Sequence, residues 1–269
     1  MKKIVAVFGV VCMAIGLVHG QGSVPVITSF SPQSGAVGTV VNITGTNFDP
    51  TPGNNKVYFG AVQAVVGLAS ATNLVVSAPA GATYAPITET VNGLTAYANA
   101  PFVPTFSSGG VFANTSLGTR LDLIGDTSPD LVVIGDLDGD GKPDLVVHNG
   151  HNTISIFRNI STNGSLTAGS FGPRIDLPIG GSQSTAGGLA LADLSGDGRL
   201  DIITSSYVDG KVSVFQNFCS PGTITANSFG PRVDIPVNGG PVTLAVQDLD
   251  GDGWPDIVTG SFSAALCPC

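Results

Sequence analysis

Glutamate occurs once in these 269 residues, at Glu89, and charged residues make up only 11% of the chain. The ten Lys and Arg form no cluster, which excludes a basic face for nucleic acid. Gly-x-Ser-x-Gly, His-Glu-x-x-His and phosphate-loop patterns are all missing, so the commonest esterase, zinc-protease and nucleotide-dependent classes drop out. A paired-carboxylate glycosidase could still use Asp residues, but most of these are committed elsewhere. Beyond residue 20 no helical stripe is found, and no apolar run is long enough to span a membrane as a helix. What is plentiful is Gly (37) and Pro (18) among Thr, Ser, Val and Asn. That is the composition of short strands joined by many turns. The expected class is all-β and non-enzymatic.

Cysteine is scarce as well, with Cys12, Cys219, Cys267 and Cys269 making four. Cys12 lies in an opening segment of its own. Lys2 and Lys3 precede an apolar run from Ile4 to Val18, followed by Gly20. Residues 1–20 therefore have the layout of a secretory signal peptide, and the run is short for a membrane span. Val11 stands before Cys12 where a lipoprotein signal would carry a small residue. Export to a secreted or cell-surface location is expected, with no membrane span once the signal is cleaved. The remaining three cysteines are an odd number, which excludes a complete framework within one chain. A bridge from Cys219 to Cys267 or to Cys269 stays open; Cys267-Pro-Cys269 is too short to close without strain.

The acidity of the chain is local. Of 19 acidic residues, 11 lie in three copies of one loop. These read Asp136-Leu-Asp138-Gly-Asp140-Gly-Lys142-Pro-Asp144, Asp193-Leu-Ser195-Gly-Asp197-Gly-Arg199-Leu-Asp201 and Asp248-Leu-Asp250-Gly-Asp252-Gly-Trp254-Pro-Asp256. Oxygens at positions 1, 3, 5 and 9, with a glycine at position 6 for the turn, suit a hard cation taking six to eight oxygen ligands. The backbone carbonyl of position 7 (Lys142, Arg199 or Trp254) adds another. Carboxylates so crowded repel one another without a counter-ion, and calcium is the natural occupant, about three ions in all. Three divalent ions would bring the formal charge from −9 to about −3, so the acidity points to metal rather than to a basic partner. An EF-hand is excluded, since position 12 carries Val147, Thr204 and Thr259 where Glu is needed. Recurrence once per repeat favours a structural role over a catalytic one. Ser195 replaces an acid, so the middle site is expected to bind more weakly.

Residues 24–106 contain six or seven short strands with turns every 8–12 residues, the pattern of a small β-sandwich. Ile27-Thr-Ser-Phe-Ser-Pro-Gln-Ser-Gly35, Gly38 to Phe48, Val57-Tyr-Phe-Gly60 and Val76-Ser-Ala-Pro-Ala-Gly81 resemble the IPT/TIG family of immunoglobulin-like domains. The resemblance implies a spacer or interaction module without catalytic residues. Phe30, Phe48 and Phe59 are expected in the core, with Gly45 and Gly60 ending strands. Pro101 to Gly110 reads as the linker.

Residues 107–269 repeat internally. Phe171-Gly-Pro-Arg174-Ile-Asp176-Leu-Pro178 recurs as Phe229-Gly-Pro-Arg232-Val-Asp234-Ile-Pro236, and more weakly around Arg120 and Asp122. Ile154-Ser-Ile-Phe-Arg-Asn159 recurs as Val212-Ser-Val-Phe-Gln-Asn217. Each unit is four strands with the acidic loop between two of them, the blade of a β-propeller. These residues resemble FG-GAP/VCBS repeats, the blades also found in integrin α-chains. The resemblance carries the loop aspartates over as calcium ligands and implies adhesion or recognition of an extracellular protein or glycan. The alternatives are an accessory region of a secreted polysaccharide-degrading enzyme and a purely structural stalk. Three units cannot close a ring of about seven blades, and the third stops early at Cys269. An unpaired edge there is expected to invite self-association. The Arg–Asp pairs at i, i+2 read as blade scaffolding, and His148 and His151 as surface loop residues. Trp254 is expected to pack over a neighbouring strand rather than to stack on a sugar. Asn42, Asn114, Asn159 and Asn163 sit in glycosylation sequons.

Overall fold

The computed structural model describes residues 2–7, 11–15, 23–106, 118–150, 153–162, 166–180 and 187–262. The only helical elements among them are two 3-10 turns, Pro52–Asn54 and Ala226–Ser228. The chain opens with β1 (Lys2–Val7) and β2 (Val11–Ile15), whose place in the fold is given below. The sandwich follows as β3 (Val26–Ser31), β4 (Ser34–Gly35), β5 (Val40–Thr46), β6 (Lys56–Phe59), β7 (Val62–Ala64), β8 (Val66–Ser70), β9 (Asn73–Ser77), β10 (Ala85–Val91) and β11 (Leu94–Pro104). One sheet runs in the order β3-β5-β9-β8 and the other β4-β11-β10-β6-β7.

Strict alternation in β5 turns Val41 and Ile43 inward and Val40 and Asn42 outward, as the two-residue period of a strand requires. Phe30, Phe48 and Phe59 are all buried in the core, as expected. Phe59 meets Phe102 edge-to-face with ring centroids 5.0 Å apart. Gly60 follows β6, but Gly45 lies inside β5 and does not end it. A Cβ at Gly45 would sit 1.8 Å from the Val26 carbonyl oxygen, so glycine is required there by the close approach of β3.

Glu89, on β10, is fully buried and neither carboxyl oxygen has a partner. Burial pushes its carboxyl up to about 8, from an ordinary 4.5. A folded-state value above the unfolded one means that stability is fully present below pH 4.5 and is lost as pH rises to about 8. In urea melts of the full chain, Glu89→Leu should therefore gain on the parent across that window, by a few kcal/mol at its upper end. Parallel stability curves for the two proteins would contradict this.

Three four-stranded sheets make up the second part. The first is β12 (Pro129–Gly135), β13 (Asp144–Asn149), β14 (Thr153–Phe157) and β15 (Ile175–Pro178). The second is β16 (Leu189–Ala192), β17 (Asp201–Ser206), β18 (Lys211–Phe215) and β19 (Val233–Pro236). Both are antiparallel in sequence order. The third begins with β20 (Gly240–Gln247) and β21 (Asp256–Phe262). Leu137, Val146, Ile154, Ile156, Ile202 and Phe215 belong to one buried cluster spanning the first two blades, and Leu194, Ile203, Val212 and Ile257 to a second spanning the next pair. The weaker copy around Arg120 forms no strand; it precedes β12. Arg120–Asp122, Arg174–Asp176 and Arg232–Asp234 are ion pairs.

A further expectation is corrected. His148 is no surface loop residue: it sits on β13, fully buried, with Nδ1 2.7 Å from Asp130 Oδ1. Its equivalents in the repeat are Ser205 and Gly260, which carry no imidazole; the strand period alone puts His148 on the face of the buried Val146. His151 lies outside the described residues. With residues 1–20 present the outer edge of β21 is occupied, whereas the unpaired edge is the expectation for the chain without them. β1 pairs with it in parallel, Ile4 opposite Ile257, and β2 adds a fourth strand in the order β2-β1-β21-β20. The segment read as a signal peptide thus occupies the edge, as an apolar, β-prone stretch does when backbone donors and acceptors are on offer. Cys219 is buried and free, while Cys267 and Cys269 fall outside the described residues, as do Asn114, Asn163 and the end of the expected linker. Asn159 is buried and its side chain donates to the Pro143 carbonyl, so it is not presented as a glycosylation acceptor.

Candidate metal centres

Each acidic loop connects the first two strands of its blade, and one hydrogen-bond scheme recurs in all three. The position 1 carboxylate accepts from the amide of the position 6 glycine: Gly141 to Asp136 at 3.0 Å, Gly198 to Asp193 at 2.8 Å, Gly253 to Asp248 at 2.9 Å. The position 5 carboxylate accepts from the position 7 amide: Lys142 to Asp140, Arg199 to Asp197, Trp254 to Asp252. The position 9 carboxylate accepts from the position 2 amide: Leu137 to Asp144, Leu194 to Asp201, Leu249 to Asp256. Glycines at positions 4 and 6 all take positive φ, from 68° at Gly139 to 84° at Gly141, a region costly for any side chain with a Cβ. The sequence explained position 6; the position 4 glycine (Gly139, Gly196, Gly251) is equally required and was overlooked.

A second overlooked pair is Asn159 and Asn217, which end the repeated Ile154–Asn159 and Val212–Asn217 phrases. The Asn159 amide donates to Asp144 Oδ1 and the Asn217 amide to Asp201 Oδ1, both at 2.8 Å. Asp144 and Asp201 therefore tie their own loops to the segment just past the third strand of the blade. Asn217 also donates through Nδ2 to the Leu137 carbonyl of the preceding blade at 2.8 Å and to that of Leu200 at 2.9 Å.

Loops 136–144 and 248–256 gather oxygens as a cation site would. Asp136, Asp138 and Asp144 bring one oxygen each within 4.8 Å of one another, and so do Asp248, Asp250 and Asp256. In the first loop Asp136, Asp138 and Asp144 are all buried, and Asp136 Oδ1 has no hydrogen-bond partner. A buried carboxylate oxygen without a donor is costly and fits a metal ligand. Burial pushes the Asp136 carboxyl up to about 6, with Asp138 and Asp140 adding to the rise. Burial likewise takes Asp144 to about 7 and Asp201 to about 7. A divalent ion reverses this by favouring the ionised form. Arg158 partly balances the first loop, donating from Nε to Asp138 and from Nη2 to Asp140 at 2.7 Å.

Loop 193–201 differs. Ser195 offers no carboxylate; Asp193 Oδ1 takes the amide of Gly196 at 2.6 Å, as Asp248 takes that of Gly251 at 2.9 Å in the third loop, and that of Asp197 at 3.1 Å besides. Arg199 turns back on Asp197 and on the Asn217 carbonyl. Its oxygens are already supplied with donors, and fewer carboxylates converge. Trp254 is half-buried, and a Cβ placed on Gly93 of the sandwich would lie 3.6 Å from its ring.

Residues 25–106 match the IPT/TIG domain, and residues 136–204 match the FG-GAP-like repeat. The second match covers the first two acidic loops and stops before the third. The chain is therefore an all-β protein with an IPT/TIG domain, an immunoglobulin-like sandwich, followed by an FG-GAP-like repeat in incomplete propeller blades. No curated protein matches. Among solved structures, an auxiliary nutrient binding protein from Bacteroides thetaiotaomicron is 14% identical with a TM-score of 0.30, over 88% of this chain and 65% of that one. A similar protein from Bacteroides ovatus gives 14% identity and a TM-score of 0.31, over 88% and 70%. A putative phosphatase from Bacteroides thetaiotaomicron gives 17% and 0.30, over 80% and 49%. The chain thus spans between about half and 70% of these structures, and likenesses this loose carry no argument about function.

Proposed function

We propose that this chain is a secreted or cell-surface, non-catalytic recognition protein whose blades are held in shape by calcium. The observation that carries the reading is the first loop, where three buried aspartates converge and Asp136 Oδ1 lacks a donor. Asp136, Asp138, Asp140 and Asp144 would hold the ion there, with Asp248, Asp250, Asp252 and Asp256 doing so in the third blade. Asp193, Asp197 and Asp201 would make a weaker site, and Ser195 a neutral ligand at most. The backbone carbonyls of Lys142, Arg199 and Trp254 complete the sets proposed. When bound, the ion supplies positive charge that offsets carboxylate repulsion and fixes each turn. Abundant extracellular calcium keeps modest-affinity loops filled, which accords with the proposed export; cleavage of a leader at residues 1–20 would take β1 and β2 away from β21.

The partner class is an extracellular protein or glycan. The test presents the purified chain to a glycan array and to immobilised extracellular matrix proteins, in millimolar calcium and in EDTA. Retention in calcium, its loss in EDTA, and no release of reducing sugar from polysaccharides are expected. Reducing ends appearing during incubation would overturn the non-catalytic reading in favour of a polysaccharide-degrading enzyme.

A further inference from the structure

The sandwich and the three acidic loops are not separate features, because each loop hydrogen-bonds to the sandwich. In the first, the Asp136 amide donates to the Ala61 carbonyl at 2.9 Å. In the second, the Tyr58 hydroxyl donates to the Gly198 carbonyl at 2.6 Å. In the third, the Thr95 amide donates to the Gly253 carbonyl at 2.6 Å. The bonds arise at position 1 in the first loop and at the position 6 glycine in the other two, and the contributing residues lie on or beside β6, β7 and β11 of one sheet.

Packing follows the same seam. Tyr58 belongs to the sandwich in sequence, yet it is buried in the apolar cluster that spans the first two blades. Gly196 lies so close to Gly93 that a Cβ would come within 2.4 Å of the Gly93 Cα. A Cβ on Gly253 would meet Val24 and Leu94 at 2.9 and 3.1 Å. The first loop is more open: Gly139 and Gly141 face free space, beside a cavity of about 420 Å³ lined by Lys56, Gln63 and Asp140. The second loop is thus covered at Gly196 by Gly93 and the third at Gly253 by Val24 and Leu94, while Gly251 of the third loop faces free space like Gly139 and Gly141.

We propose that cation occupancy of these loops sets the docking of the sandwich on the blades, making the seam a calcium-controlled joint. The inference rests on the calcium reading given above. The donors and acceptors facing the sandwich are backbone groups of the loops themselves, and their positions follow the loop's shape. With the loops filled, all three bonds are presented at once and the two parts form one body. With the loops emptied, carboxylate repulsion opens the turns and the seam loses its register, while the core of the sandwich around Ile43 and Phe59 is untouched. Binding linkage is reciprocal, so weakening the seam must also weaken calcium binding. Tyr58 is then a positioning residue for a metal site that it does not touch.

The full chain is followed by residue-resolved hydrogen exchange in calcium and in EDTA, alongside calorimetric titration of the parent and of Tyr58→Phe. Removing calcium should speed exchange of the Thr95 amide by about tenfold, a typical coupling between sites, while amides of β5 keep their protection. Tyr58→Phe, which deletes only the hydroxyl, should fold and should bind calcium several-fold more weakly at the second loop. Calcium binding with an unchanged Thr95 amide and unchanged affinity in Tyr58→Phe would overturn the joint and leave the calcium reading standing. Absence of calcium uptake by the parent would remove both.

Discussion

Millimolar calcium raises the melting temperature of this protein, and EDTA lowers it: that is the largest effect expected of any change in conditions. An ion that binds only the folded state adds about 2.7 kcal/mol per site when its free concentration is a hundredfold above the dissociation constant. The carboxylates supply the reason. In the first loop burial drives Asp136 and Asp144 towards protonation, and Asp136 Oδ1 has no donor. Without an ion, the folded blade must either protonate these groups or bear their repulsion. Differential scanning calorimetry with and without EDTA measures the difference. Identical melting profiles would mean that the loops need no ion to hold their shape.

The largest effect of a single substitution is expected at the ninth loop position. Asp144 is fully buried and accepts the Leu137 amide at 2.9 Å and the Asn159 amide at 2.8 Å. Asp144→Ala strands two buried donors, each costing about 1–3 kcal/mol, and deletes a ligand as well. A total loss on the order of 3–5 kcal/mol is expected by denaturant unfolding in calcium. Ser195→Ala should cost less than about 1 kcal/mol, because the Ser195 hydroxyl makes only a 3.5 Å contact with Asp193. A loss below about 1 kcal/mol for Asp144→Ala would show that the carboxylate does not hold the turn.

The sequence made the repeated, local features legible. The phrases resembling IPT/TIG domains placed Phe30, Phe48 and Phe59 in the sandwich core, and triplicate spacing placed an acidic loop between two strands of each blade. Both signals are carried by residues close together in the chain. What escaped notice depended on distant contacts. The seam joins Tyr58 to Gly198 across 140 residues, and no periodicity records it. Asn159 and Asn217 were visible as repeated letters, but their link to Asp144 and Asp201 needed the hairpin to be folded. The pairing of β1 with β21 is non-local in the same way, joining opposite ends of the sequence. His148 is a different case: the strand period puts it on the face of the buried Val146, although Ser205 and Gly260 in the other blades carry no imidazole.

The position 4 glycines are instructive for another reason. Position 6 was explained by the sharp turn alone, yet Gly139, Gly196 and Gly251 also take positive φ. Gly196 adds a second constraint, since the sandwich hairpin leaves no room for a side chain there. A glycine in a repeat can thus answer to its own turn and to a neighbouring domain together.

The central claim is that the three loops are calcium sites of unequal strength, and calorimetric titration of the metal-stripped chain with calcium tests it most directly. The account predicts saturable uptake in the millimolar range or tighter, with two stronger sites and one weaker. Asp250→Ala should remove one of the strong sites, while Ser195→Ala should leave both intact. No heat of binding up to millimolar calcium, or equal losses in the two variants, would contradict it.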